Sequence, residues 1–244
     1  MSFYRYRTDA LMSKVPKTNK CIVLDIDETL VHTFEEDNHY RLGDLKLMED
    51  PSLIDLRSRL YVLPLVDLSH TGDSTKSLYW GIMRPGLKDF LRFSSKYFQN
   101  VCIWSAGHKE YVEKVCTNIF RGIQKPTIIF SNNDCEKIGS HNIKPLVKMF
   151  SHPSCLGMTP ENTFVIDDRA STFSQNPLNG IQIPPYEPRD TIEGLRFEES
   201  SLKLLQDWLL LDEVANCPDV RNLEKHKIFY PPITAGGKSP RNSK

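Results

Sequence analysis

The sequence carries no surplus of either charge: its 31 Lys and Arg residues offset its 31 Asp and Glu residues. A neutral chain has no bulk field to concentrate it on nucleic acid or an anionic membrane, so neither is an expected partner, and any anionic ligand must be held by a local site. Long apolar runs are also missing. No segment approaches the ~20 apolar residues of a spanning helix. The N-terminal stretch with Arg5, Arg7, Lys14, Lys17 and Lys20 lacks the apolar core of a secretory signal. Cysteine is sparse: Cys21, Cys102, Cys116, Cys135, Cys155 and Cys217 are scattered, several inside apolar runs where a thiol packs as a small hydrophobe. This usage fits a reduced, intracellular compartment, nuclear or cytoplasmic. Cys135, His141, His152 and Cys155 match the spacing of no common zinc finger. There is no solenoid-period repeat and no long low-complexity region.

What is present is an alternation of short apolar runs with helical patterns. Cys21 to Ile26 is nearly continuous in Ile, Val and Leu, as in a strand buried on both faces of a parallel sheet. The polar stretch from His32 to Leu53 reads as a loop or insertion, and Arg59 to Leu68 with Lys76 to Met83 reads as an antiparallel hairpin turning at 69–74. Leu87, Phe90 and Leu91 mark a helix reaching Tyr97 or Phe98, and Tyr111, Val112, Val115, Cys116 and Ile119 mark another. Further strands are expected at Val101 to Trp104, Thr127 to Phe130, Thr163 to Ile166 and Ile181 to Ile183. Helices are expected at Lys144 to Phe150 and around Leu202 to Leu209. The pattern predicts an α/β fold, a Rossmann-like parallel sheet flanked by helices, with a small β insertion after the first core strand. The expected organisation is an N-terminal extension over 1–19, one domain over 20–215 with the insertion at about 34–83, and a C-terminal extension over 216–244 whose end, 234–244, reads as disordered.

Open α/β sheets place ligands at the C-terminal ends of their strands. Asp25 and Asp27 fall at the end of the first apolar run, and residues two apart in an extended segment point the same way. Alone, such a pair reads as a polar strand end. A second run, Thr163 to Ile166, delivers Asp167 and Asp168 to the same kind of position. Carboxylates gathered in this way need a cation or a shared proton. Ser105-Ala106-Gly107 adds a hydroxyl and backbone amides at a third strand end, and Lys144 adds one cation.

The segment Asp25-Ile26-Asp27-Glu28-Thr29-Leu30-Val31-His32 resembles the Asp-x-Asp-x-Thr motif of the haloacid dehalogenase superfamily. It does so in the form used by the small phosphatases of the RNA polymerase II C-terminal domain, the NLI-interacting-factor-like branch. The resemblance continues in order through Arg84-Pro85-Gly86, Ile103-Trp104-Ser105-Ala106, Lys144-Pro145-Leu146 and Val165-Ile166-Asp167-Asp168-Arg169, covering about Lys20 to Trp208. It implies a phosphatase with Asp25 as nucleophile, Asp27 as general acid and base, and Ser105 and Lys144 as phosphoryl contacts. It implies Mg2+ on Asp25, the backbone carbonyl of Asp27 and Asp168, with Thr29, Asp167 and Arg84 in support. Arg84 and Arg169 are also candidates for a second phosphate or an acidic side chain. The implied partner is a protein phosphorylated on serine or threonine, with the RNA polymerase II C-terminal domain as the candidate substrate.

Two departures stand out. Pro145 follows Lys144 where those enzymes usually carry Asp, and Asn132 stands where they place a substrate-contacting arginine. The second departure separates phosphatase chemistry from recognition of the polymerase tail. Two other readings compete: hydrolysis of a nucleic-acid end or small phosphate ester, and an inactive phosphopeptide-binding scaffold. The hairpin residues Tyr61, Leu63, Leu65, Leu78, Tyr79 and Trp80 offer either an apolar peptide wall or packing of the insertion onto the core.

Overall fold

The run Cys-Ile-Val-Leu forms β1 (Cys21–Leu24), and all four of its side chains are buried. The computed structural model describes residues 16–34, 51–68 and 74–229. The elements that follow β1 are β2 (Val31–Phe34), α1 (Ile54–Arg57), β3 (Leu60–Leu68), β4 (Ser74–Met83), α2 (Leu87–Tyr97), β5 (Asn100–Trp104), α3 (Lys109–Ile119) and β6 (Ile128–Phe130). After these come β7 (Glu136–Ile138), β8 (His141–Ile143), α4 (Val147–Phe150), β9 (Thr163–Asp167), β10 (Gly180–Gln182), α5 (Ile192–Arg196), α6 (Ser201–Leu209) and α7 (Asp212–Ala215).

Five strands make a parallel sheet in the order β10-β9-β1-β5-β6, so β1 lies in its middle. Alternation then sorts its side chains into two cores. Ile22 and Leu24 join Val101, Ile103, Phe164 and Ile166 on the face covered by α2, α3 and α6. Cys21 and Val23 join Cys102, Trp104 and Val165 on the other face, closed by Leu146, Met149, Met158 and Phe173. The helices supply their contacts at a spacing of three and four, as Leu87, Phe90, Leu91 and Ser94 do on α2. Leu24 pairs in register with Ile103 on one side and Ile166 on the other. Asp25 and Asp167 are therefore level along one edge of the sheet, with Ser105 one residue further on at the end of β5.

A second, antiparallel sheet in the order β2-β4-β3 follows β1. The expected hairpin is present, with a third strand beside it, because Val31–Phe34 pairs with β4 where the sequence reads as loop from His32 onward. Four residues with one half-exposed face give too short an alternation to register as a strand. Tyr61 and Leu63 pack into the main core, Trp80 packs into a separate cluster with Leu53, Leu56 and Tyr186, and Leu65 and Tyr79 are partly buried against the core. Most of the expected apolar wall thus packs the insertion down; the side chain of Leu78 lies outside those described.

Other differences concern short elements. Lys144 does not open a helix: it precedes Pro145, which disfavours the helical backbone in the residue before it, and α4 starts at Val147. The β7–β8 hairpin, α1, α5 and α7 are too short to show a period. Val220 and Ile228 belong to the main core, so packing continues beyond the boundary expected at 215. Most of the expected N-terminal extension (1–15), residues 35–50, the turn 69–73 and the C-terminal stretch 230–244 lie outside the described residues.

Arg84, just after β4, joins three parts of this frame. Its buried guanidinium holds the Glu199 carboxylate through Nε at 2.6 Å and Nη2 at 2.9 Å, the Thr29 carbonyl at 3.0 Å and the Pro184 carbonyl at 2.8 Å. It is an internal strut, with four of its five N–H donors spent on partners inside the fold. Burial pushes the Glu199 carboxyl up, but hydrogen bonds from Arg84 and its charge outweigh this and leave it below its ordinary 4.5. A lowered folded value means stabilisation that is complete above that pH and lost as pH falls through the folded value. Glu199→Gln should cost about 3 kcal/mol near neutrality, since it leaves the buried Arg84 charge without a counter-charge. Urea denaturation should show the gap between wild type and variant closing as pH falls below 4.5.

Candidate active site

The chain continues beside β9 for one residue past β1, with the Asp25 N–H donating to the Ile166 carbonyl at 2.9 Å, and then wraps. The Ile26 carbonyl accepts from the amides of Thr29, Leu30 and Val31 at 3.3, 2.8 and 3.1 Å. This tight wrap puts Glu28 at φ +57°, the one positive φ among the described non-glycine residues, at a cost of about 1 kcal/mol. Its neighbours hold it there: the Glu28 N–H donates to the Val31 carbonyl and its carbonyl accepts the Tyr186 N–H at 2.7 Å. Thr29 Oγ1 accepts the Asp168 N–H at 3.1 Å, pinning the loop to the end of β9.

Lys144 enters between the two acid-bearing strands. Its Nζ donates to Asp25 Oδ1 at 2.5 Å and to Asp167 Oδ2 at 2.7 Å, and its own N–H donates to the Thr172 carbonyl. The lysine is 2% exposed, and although burial disfavours its charge, the two carboxylates hold its pKa above the ordinary value. Asp167 Oδ1 accepts the Arg169 N–H at 2.9 Å. Arg169 itself points outward, with Nε 3.7 Å from Asp168.

Asp25, Asp167 and Asp168 each bring one carboxylate oxygen within 4.8 Å of the others. Desolvation raises the Asp25 carboxyl well above its usual value, with Asp167 and Asp27 adding repulsion against the pull of Lys144. Burial, then the charge of Asp167, pushes Asp168 up to about 6. One lysine does not neutralise this group, and its free donors are all carboxylate oxygen, the set that suits a hard divalent cation. The acids thus offer a cation cradle, with the Lys144 ammonium held against it.

Asp27 belongs to a different set of contacts. β1 ends at Leu24, so the period-two argument lapses beyond it: Asp25 turns to Lys144 while Asp27 turns to Ser105. Ser105 Oγ donates to Asp27 Oδ2 at 3.0 Å and accepts the Gly107 N–H at 2.9 Å. The other oxygen, Oδ1, accepts from the Tyr111 hydroxyl. Burial raises the Asp27 carboxyl, against the opposing bonds from Tyr111 and Ser105. Sequence reasoning missed Tyr111 as a polar group. It stands at a helix position read as apolar, and the only available signal was a tyrosine in that place six residues after Ser105. Asn132 lies at the rim, its N–H on the Gly107 carbonyl at 3.0 Å and its Oδ1 buried without a partner.

A family model for NLI interacting factor-like phosphatases matches residues 20–221. Among curated proteins, the chain is 25% identical over 229 residues to CTD small phosphatase-like protein 3 of Caenorhabditis elegans, covering 90% of this chain and 66% of the relative. It is 24% identical over 201 residues to a probable C-terminal domain small phosphatase of Dictyostelium discoideum, covering 81% and 55%. Among solved structures, it resembles the RNA polymerase II CTD phosphatase Fcp1 with a TM-score of 0.53 at 22% identity, over 85% of this chain and 59% of that one. A fission yeast Fcp1 variant bound to beryllium fluoride gives a TM-score of 0.52 at 24% identity, over 78% and 49%. These structural likenesses carry the fold, and the chain spans about half to two thirds of the length of these four proteins.

The raised carboxyls set the sign of a pH effect. With no cation bound, the folded protein holds protons on Asp168 that the unfolded chain gives up, between its folded value of about 6 and its ordinary 3.8. Stability should therefore rise as pH falls through that window, by roughly 1–3 kcal/mol. Urea denaturation in chelator should show this rise, and Asp168→Asn should remove most of it.

Proposed function

The chain belongs to the NLI interacting factor-like phosphatases, and on that premise we propose that it is a magnesium-dependent phosphatase that removes phosphate from phosphoserine and phosphothreonine in proteins through an aspartyl-phosphate. The observation that carries this reading is the register of β1, β5 and β9, which levels Asp25 with Asp167 and puts Ser105 one residue further along the same edge, with Lys144 between the acids.

In the first half-reaction an Asp25 oxygen attacks phosphorus. The ester O–P bond breaks, its electron pair passes to the leaving oxygen, and that oxygen takes a proton from Asp27. In the second, water attacks the same phosphorus, Asp27 takes its proton, and the bond to Asp25 breaks to release inorganic phosphate. The raised Asp27 carboxyl suits a group that must begin protonated. Lys144 holds Asp25 in place and offsets negative charge on the phosphoryl oxygens, and Ser105, turning its hydroxyl from Asp27 Oδ2 to the substrate, supplies a donor to them. Mg2+, when held by Asp25, Asp168 and the Asp27 carbonyl with Asp167 beside it, supplies charge neutralisation at the phosphoryl group.

The substrate class is the finer part of the proposal. Both curated relatives and both solved structures are named for a C-terminal domain, and the polymerase C-terminal domain is the candidate substrate for this chain. A small sheet, β2-β4-β3, borders the site, and among the described residues no large helical cap covers it, which suits an extended phosphopeptide. Hydrolysis of phosphoserine peptides, measured beside a 3′-phosphorylated oligonucleotide and a sugar phosphate, should favour the peptides. Asp25→Asn should lower turnover by about a thousandfold or more, and excess chelator should abolish it until Mg2+ is restored. Full activity in either condition would remove the mechanism.

A further inference from the structure

Asp27 is not held by Ser105 alone. The Tyr111 hydroxyl donates to its Oδ1, Thr33 Oγ1 lies 2.7 Å from that hydroxyl, and the Tyr61 hydroxyl lies 2.8 Å from Thr33 Oγ1. A hydroxyl has one proton to give. With Tyr111 spending its proton on Asp27, Thr33 must donate to Tyr111 and Tyr61 must donate to Thr33, so the chain runs one way and ends on the carboxyl. Its members come from α3 and from β2 and β3 of the insertion sheet, so it ties that sheet to a helix of the main fold.

Two glycines make room for the rings. A Cβ at Gly107 would come within 2.9 Å of Tyr111 Cδ1 and 3.1 Å of Ser105 Oγ. A Cβ at Gly81 would strike the Cζ and hydroxyl of Tyr61, and would stand 2.9 Å from the His32 carbonyl. Tyr61 is 4% exposed, deep enough that its hydroxyl needs the partner it finds in Thr33.

We propose that Tyr111, backed by Thr33 and Tyr61, is the positioning residue for Asp27: it keeps Oδ1 occupied, so that when Ser105 turns its one proton from Oδ2 to the phosphoryl group the transferable proton sits on Oδ2. This rests on the reading of Asp27 as general acid. When the ester O–P bond breaks, the leaving oxygen takes the bond's electron pair and the Oδ2 proton, leaving Asp27 a carboxylate with Tyr111 still donating to Oδ1. A carboxyl free to rotate would present the wrong oxygen for part of the time. The insertion sheet then acts on the chemical step through two hydroxyls, besides bordering the site.

The test is a series of ring-substituted phenyl phosphates of similar size, which holds binding nearly constant while the need for a proton on the leaving oxygen varies. In Tyr111→Phe, kcat/KM should fall by less than about threefold for 4-nitrophenyl phosphate and by about thirtyfold for unsubstituted phenyl phosphate. Thr33→Val and Tyr61→Phe should show the same trend with smaller losses. An equal loss across the series, or no loss, overturns the positioning role. Crystal structures of wild type and Tyr111→Phe give a readout independent of turnover: the Asp27 carboxyl should rotate in the variant, and an unmoved carboxyl also overturns the role. Failure of the parent reading looks different, as wild-type protein that hydrolyses none of the series or Asp25→Asn that keeps its activity.

Discussion

The structure turns on one lysine between two buried carboxylates. Asp25 and Asp167 end neighbouring parallel strands, and the register that aligns those strands also forces their acids together, where repulsion and lost hydration both oppose folding. Lys144 answers both by touching each of them. Its side chain can do this because Pro145 stops a helix from forming around it and its backbone is tied to Thr172. The same contacts leave a net negative group at the sheet edge, so the arrangement that lets the chain fold also leaves it able to hold a cation.

Around that centre, rigidity comes from bonds that cross between elements. The loop after β1 is held from β9 through Thr29, from the segment before α5 through Tyr186, and from Arg84 through the Thr29 carbonyl. Glu28 keeps its left-handed backbone because these ties leave the loop no relaxed alternative. Strain and buried charge are thus concentrated at the site and offset by ordinary packing in the two cores behind it.

Much of this was legible in the sequence, for identifiable reasons. A strand buried on both faces is apolar over most of its length, so β1, β5 and β9 stood out as runs, and the residues that end them fell at the ligand-binding edge by topology alone. Helices such as α2 and α3 declare themselves by repeated contact with one core. The strand β2 and the β7–β8 hairpin did not, because three or four residues define no period. Arg84 was legible as a charge near the site, but its burial depends on Glu199, far along the chain. Tyr111 and Tyr61 count as hydrophobic by periodicity, and only the fold shows that their hydroxyls meet at Thr33.

The central place of β1 has a consequence for synthesis of the protein. Its partner β9 is made long after it, so a nascent chain that has not yet reached Thr163 carries a fully apolar strand with one edge unpaired. Such a chain has a template for the wrong partner, and no site to reward the right one. Completion of β9 closes that edge and brings Asp167 to Lys144 in the same event. Protection from aggregation and acquisition of the acid cluster therefore arrive together, once the chain has reached Asp167.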